Sequence, residues 1–304
     1  MLDACAGRGT ARFSLMHRDS LQQPKSRRRY TQLAGSADSL AIARLAGAAR
    51  PLAVIASSAL DAQRLLEEIA WFAPGLRVCL LPDWETLPYD RFSPHRDLVS
   101  ERLATLYRIQ SGDFDVALAP VPTALTRLCP PAYLAAHSFL LDAGKRLDLD
   151  ALRAQLALAG YQHVTQVVGP GEYCVRGGIV DLFPMGSALP LRLDLDADVV
   201  ESIKCFDVDT QRSLYAVKQV RLLPAREFPL DDAARVRFRS RWREIFEGDP
   251  SKKSLYRSVS SGIPASTGFQ IVPLNCSTTV GWFVSLQVTV TVFSTWPLKA
   301  PLLN

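Results

Sequence analysis

The chain has 304 residues but few of the residues that do chemistry. Its histidines number four (His17, His95, His137 and His163), and none stands near another or near a cysteine. Its six cysteines, at positions 5, 79, 129, 174, 205 and 276, form no CxxC pair. Neither a zinc site nor a disulfide framework follows from that spacing, and the cysteine usage suits a reducing cytoplasm. Before the last forty or so residues no apolar run is long enough to span a bilayer. Met1–Gln23 also lacks the continuous apolar core of a signal peptide, and the Lys25–Arg29 cations follow it rather than precede it. The phosphate-cradling pattern GxxxxGK[ST] is missing too. Its candidate segment, Gly35–Ala43 (GSADSLAIA), offers Gly35, Ser36 and Ser39 but neither a second glycine nor a lysine. No metal, cofactor or catalytic residue is therefore expected.

What is present describes a folded protein. Hydrophobic residues make up 48% and charged residues 21%, and the net charge of +5 permits contact with nucleic acid without requiring it. From Ser36 to Leu128, helical patterns alternate with short apolar strands: PLAVIA at Pro51–Ala56, Leu76–Leu81, and FDVALA at Phe114–Ala119. That alternation predicts βαβ units and a parallel sheet. Asp115 has no acidic neighbour at the end of its strand. The loop Leu81–His95 holds Trp84, Tyr89 and Phe92 near Arg91 and Arg96. Such a set either stacks on bases or pins the loop to its own sheet.

After Pro130-Pro131 the period changes. A helix over Leu147–Leu158 is followed by alternating runs at Tyr161–Val168, Leu189–Leu195 and Val199–Phe206. These predict an antiparallel sheet in an inserted α+β domain covering 131–207, with a return to the first domain over 208–263. Residues 1–29 read as a basic, solvated leader and 30–130 as the first part of the α/β domain. Asp231–Phe246 is a helix with Phe238, Trp242 and Ile245 on one side and arginines at 235, 237, 239, 241 and 243, a solvated coat or a phosphate-binding surface. Pro264–Asn304 has no Asp or Glu, an odd composition for a soluble domain, although Gln287–Phe293 alternates like a strand.

The centre of the pattern is Gly171–Pro184, GEYCVRGGIVDLFP, a hairpin turning at Gly177-Gly178. Arg176 stands just before the turn. It is either paired at a sheet edge with Asp181 or Glu172, or exposed for a partner.

Four segments in this order resemble the N-terminal part of the bacterial transcription-repair coupling factors. They are FSPH with Asp97, Ser100 and Arg102; PGEYCVRGGIVDLFP; LRLDLDADVVESIKCFDVDTQRS; and RLLPAREFP. The resemblance runs from about Tyr30 to Ile263. It implies a UvrB-like module: a RecA-like parallel-sheet domain with a degenerate nucleotide site and an inserted domain that binds UvrA. It places the UvrA contact on Arg176, with Phe183 as apolar neighbour, and Cys174 and His163 where UvrB has basic residues. DNA is then bound weakly at most, RNA polymerase only through domains this chain lacks, and no membrane is involved. The alternatives are an ATP-dependent helicase similar to UvrB, which the degenerate segment speaks against, and a direct nucleic-acid binder. Pro264–Asn304 departs from the family pattern, as a shifted reading frame or a truncated product would.

Overall fold

The computed structural model describes Tyr30, residues 33–86 and 94–246, Tyr256 and the strand at 289–292. The basic leader, Tyr89, Arg91, Phe92 and most of the segment after residue 263 lie outside the described residues.

The first part of the chain builds the α/β layer expected of it. Helix α1 (Ala37–Ala48) precedes strand β1 (Leu52–Ala56), followed by α2 (Ala59–Phe72), β2 (Val78–Leu80), α3 (Arg96–Ser111), β3 (Val116–Pro120) and the short α4 (Val121–Leu125). Helix α2 begins where the Ser58 hydroxyl accepts the Asp61 N–H at 3.1 Å. Helix α3 stops at Gly112, which takes the left-handed conformation at φ +72°. Ser36 sits at the N-cap of α1 but makes no side-chain cap there. The Asp38 carboxylate accepts the Ser39 N–H instead, at 2.8 Å.

The second part opens with α5 (Pro131–Ala136), β4 (Phe139–Asp142) and α6 (Leu149–Ala159). The strands β5 (Gln162–His163), β6 (Glu172–Arg176), β7 (Ile179–Leu182), β8 (Leu191–Asp196), β9 (Val199–Phe206), β10 (Ser213–Val217) and β11 (Gln219–Leu222) follow. Helix α7 (Asp232–Ile245) and strand β12 (Thr289–Val292) complete the described elements.

Three sheets result. The parallel sheet has the order β12-β1-β3-β2, the larger sheet runs β10-β9-β8-β7-β6-β5, and β11 pairs with β4. Strand β12 lies parallel to β1 with Leu52 opposite Thr289, so part of the charge-poor segment completes the edge of the first sheet. In the larger sheet every pairing is antiparallel except β5 with β6, which is parallel. Only Gln162 and His163 of the expected Tyr161–Val168 run are strand. Beyond them Val167 turns into a small core, and the Thr165 carbonyl accepts the Cys174 thiol at 3.3 Å. The sheet continues through β10 to Val217, past the Asp207 boundary expected for the inserted domain.

One face of the larger sheet is apolar. Tyr173, Val180, Leu182, Leu193 and Ile203 pack against Leu152 and Leu156 of α6. The same buried cluster runs on through Tyr161, Met185 and Leu223 to Leu103, Leu106 and Ala117 of the first part. The two parts therefore share one hydrophobic interior. No helix among the described residues is long and apolar enough to cross a membrane.

Candidate partner-docking site on the hairpin

Strands β6 and β7 pair with Cys174 opposite Asp181, Val175 opposite Val180 and Arg176 opposite Ile179. Gly177-Gly178 closes the turn. Gly177 takes φ +58°, where a side chain is strained. Gly178 is needed for a different reason: a Cβ there would stand 2.9 Å from the Leu195 carbonyl oxygen of β8. The Gly178 carbonyl accepts the Leu195 N–H at 2.7 Å, so the turn is strapped to the next strand.

Side chains alternate across a sheet, so Cys174, Asp181, Arg192 and Lys204, which face one another across β6, β7, β8 and β9, share the face away from α6. Asp181 is the centre of this row. Its side chain is 1% exposed and accepts from two guanidinium groups. Arg192 binds both carboxylate oxygens, Nε to Oδ1 at 2.7 Å and Nη2 to Oδ2 at 3.0 Å. Arg176 donates from Nη2 to Oδ2. Arg192 also lies over the Phe206 ring, 4.7 Å from its centre, and donates to the Gln211 carbonyl at 3.2 Å. The Asp181 carboxylate holds the Arg192 guanidinium above its ordinary pKa. Beside them, Asp194 accepts from Lys204 at 2.8 Å and Ser202 at 2.6 Å; the Lys204 ammonium first, then the Ser202 hydroxyl, keep its carboxyl below the usual range.

The two partners considered for Arg176 are thus separated. Asp181 takes it. Glu172 instead accepts from Arg96 at 2.8 Å and from the backbone N–H groups of Val168 and Gly169. The pairing leaves Arg176 with 53% of its side chain exposed. A guanidinium has five N–H donors, so a fork of donors remains directed to solvent.

The other residues expected at this site divide. His163 is exposed on β5 with its ring 5.2 Å from that of Tyr173. Cys174 and Phe183 are 4% and 7% exposed, packed with Val167 and Phe206 in a small core on the same face of the sheet as Asp181 and Arg192. Neither presents a surface to a partner, which corrects the expectation for both. The apolar neighbour that Arg176 does have is Ile179, directly opposite it and 38% exposed. Counting back from the turn identifies it, because the residue after a two-residue loop faces the residue before it.

The candidate phosphate loop also moves. Gly35 and Ser36 lie just before α1 and Ser39 in its first turn, and α1 precedes β1, whereas a phosphate cradle joins the end of a strand to the start of a helix. Ser39 is fully buried, its hydroxyl 2.5 Å from Glu68. The strand-to-helix position is Ser57-Ser58, between β1 and α2. It has no glycine and no lysine, and the first helical turn carries Asp61, which pairs with Arg64 at 2.7 Å. A carboxylate at a helix N-terminus competes with an incoming phosphate. Asp115 is likewise occupied. Arg77 binds it through Nε and Nη2, both at 3.2 Å, and Arg50 approaches to 3.4 Å. Hydrogen bonds from Arg77 pull the Asp115 pKa down to about 2.

Trp84, read as a possible base contact, instead serves the joint between the two parts. Trp84 stacks on Arg102, 3.8 Å from guanidinium to ring centre. Arg102 is fully buried and donates to Glu227 at 2.7 Å and to the Pro82 carbonyl. Ser100 accepts the Gly186 N–H at 2.7 Å, and the Tyr161 hydroxyl donates to the Leu223 carbonyl at 2.8 Å. In α7 no residue is buried; the Phe238 and Trp242 rings gather around Tyr256.

Comparison with known proteins matches residues 139–228 to the UvrB interaction domain. Over 236 residues the chain is 47% identical to the transcription-repair-coupling factor of Escherichia coli K12, a span of 77% of this chain and 20% of that protein. It is 43% identical over 247 residues to that of Haemophilus influenzae (79% and 21%), and 30% identical over 197 residues to that of Bacillus subtilis (64% and 17%). The chain spans about one fifth of the length of these relatives. Residues 139–228 are thus a UvrB interaction domain, set in a chain that corresponds to the N-terminal part of the transcription-repair-coupling factors.

Proposed function

We propose that this chain is a non-catalytic docking module that recruits UvrA in the cytoplasm through the outer face of its hairpin. The parent protein would use this contact to link a stalled, DNA-translocating complex to excision repair. The observation that carries the reading is the presentation of Arg176. Its guanidinium is half exposed and anchored on one side by a buried carboxylate, with exposed Ile179 beside it. A pre-oriented Arg with an apolar neighbour suits a paired hydrogen bond to a carboxylate on the partner. Support for a non-catalytic role comes from Ser57-Ser58, which has neither the glycines nor the lysine that hold a triphosphate, and from Asp115, which is occupied by Arg77. Contacts with RNA polymerase and strong binding of DNA belong, on this reading, to the rest of the longer protein.

Calorimetric titration of UvrA into the full chain tests it. Arg176→Ala is expected to weaken binding by about 2 kcal/mol, roughly thirtyfold, with an unchanged melting temperature. Unchanged affinity in the folded variant would remove the hairpin from the contact. ATP hydrolysis measured with and without DNA is expected to stay at background; turnover would make the chain an enzyme.

A further inference from the structure

A groove of about 1390 Å³ runs along the junction of the two parts, away from Arg176 and the polar row. Its walls come from Trp84, the start of α3, the turn before α5 and the Arg226–Leu230 segment. Two guanidinium groups line it without a carboxylate partner among the described residues. Arg127 is half-buried, and its Nε is fully enclosed with no hydrogen-bond acceptor. Arg226 is half-buried against Gly160, so close that a Cβ on that glycine would stand 2.7 Å from its Nε. Burial pulls the Arg226 guanidinium below its ordinary pKa. The adjacent acid, Glu227, is already taken by Arg102. An enclosed guanidinium donor with no acceptor costs free energy, and each such group in a native protein calls for an explanation, an ordered water, an ion or a bound partner among them.

We infer that this groove binds an extended peptide segment of a partner protein, one that sets carboxylates against Arg127 and Arg226 and apolar side chains along the walls between them. Arginine forks match carboxylates in paired geometry. The walls favour peptide over nucleic acid. Asp97 and Glu101 of α3 also line the groove. A polynucleotide carries a charge at every phosphate and would meet both acids. A peptide can place its carboxylates only where the arginines are.

Fluorescence anisotropy with the full chain tests the inference. The probes are a labelled peptide of alternating Glu and Leu, the same peptide with Gln for Glu, and labelled oligothymidylate. The Glu peptide is expected to bind at least tenfold more tightly than the Gln peptide. Arg226→Gln and Arg127→Gln should each weaken it at least fivefold, with the two together abolishing the preference. If Arg226→Gln lowers the melting temperature, Arg127→Gln carries the test, since its enclosed Nε has no internal bond to lose. Equal binding of the two peptides, or an undiminished preference in a folded variant, overturns the inference. So does tighter, Arg226-dependent binding of oligothymidylate.

Discussion

Removing the carboxylate of Asp181 strands two guanidinium groups at once. Arg192 loses both of its carboxylate bonds inside the sheet, and Arg176 loses its anchor. Breaking a buried charge pair from one side is far costlier than removing an exposed partner. Asp181→Asn is therefore expected to cost about 3 kcal/mol in urea denaturation. Arg176→Gln should cost under about 1 kcal/mol. The same logic gives a pH dependence. Arg77 holds Asp115 at about 2, below its ordinary 3.8, so the folded state favours the ionised form. The resulting stability is complete above about pH 4 and is lost as pH falls toward 2. Asp115→Asn should flatten the acid limb of a stability-versus-pH curve over that interval; an unchanged slope would show that other carboxylates set it. At this scale the sequence exposes charge and type but not direction. Arg176 could be picked out because it precedes a glycine pair. Cys174 and Phe183 belong to a small core on the same face as Asp181 and Arg192, and only the register of four strands reveals that arrangement.

Elements were the most legible level. Short apolar runs between helical patterns did become a parallel sheet, and alternation around Gly177-Gly178 did become a hairpin. Two kinds of information were hidden. Strand pairing beyond a hairpin is non-local, so the parallel β5–β6 contact and the continuation of the sheet through β10 leave no periodic trace. A loop's role also depends on which elements flank it: Gly35–Ala43 resembles a worn phosphate loop only until β1 is found to follow it. The turn itself yields a prediction. Gly178 faces the Leu195 carbonyl too closely to admit a methyl group, and that carbonyl is fixed in β8. Gly178→Ala should push the turn off the sheet and cost about 2 kcal/mol, seen as a lower melting temperature. On the proposed reading of the hairpin it should also weaken UvrA binding while leaving the Arg102 joint intact. A variant with native stability would mean that β8 yields easily.

At the scale of the whole molecule, residues in or next to three of the resemblance segments form a joint. Ser100 and Arg102 come from one of them, Gly186 follows the second, and Glu227 belongs to the last; all four meet where the two parts share their core. The pairing of Arg102 with Glu227 spans 125 residues of sequence, a distance over which residue pattern carries no pairing information. Arg102 is fully buried, so its charge depends on Glu227, the Pro82 carbonyl and the Trp84 ring. Glu227→Gln leaves that guanidinium without its counter-charge and is expected to cost about 3 to 5 kcal/mol. Because one core runs through the joint, the loss should lower the single unfolding transition rather than loosen one part alone. The double variant Arg102→Met, Glu227→Leu removes both charges and keeps apolar volume, so it should recover most of that stability. Recovery would identify the buried charge, rather than the packing around it, as the source of the loss. A double variant as unstable as Glu227→Gln would instead place the loss in the bonds to Pro82 and Trp84, and the joint would then depend on the shape of Arg102 more than on its charge.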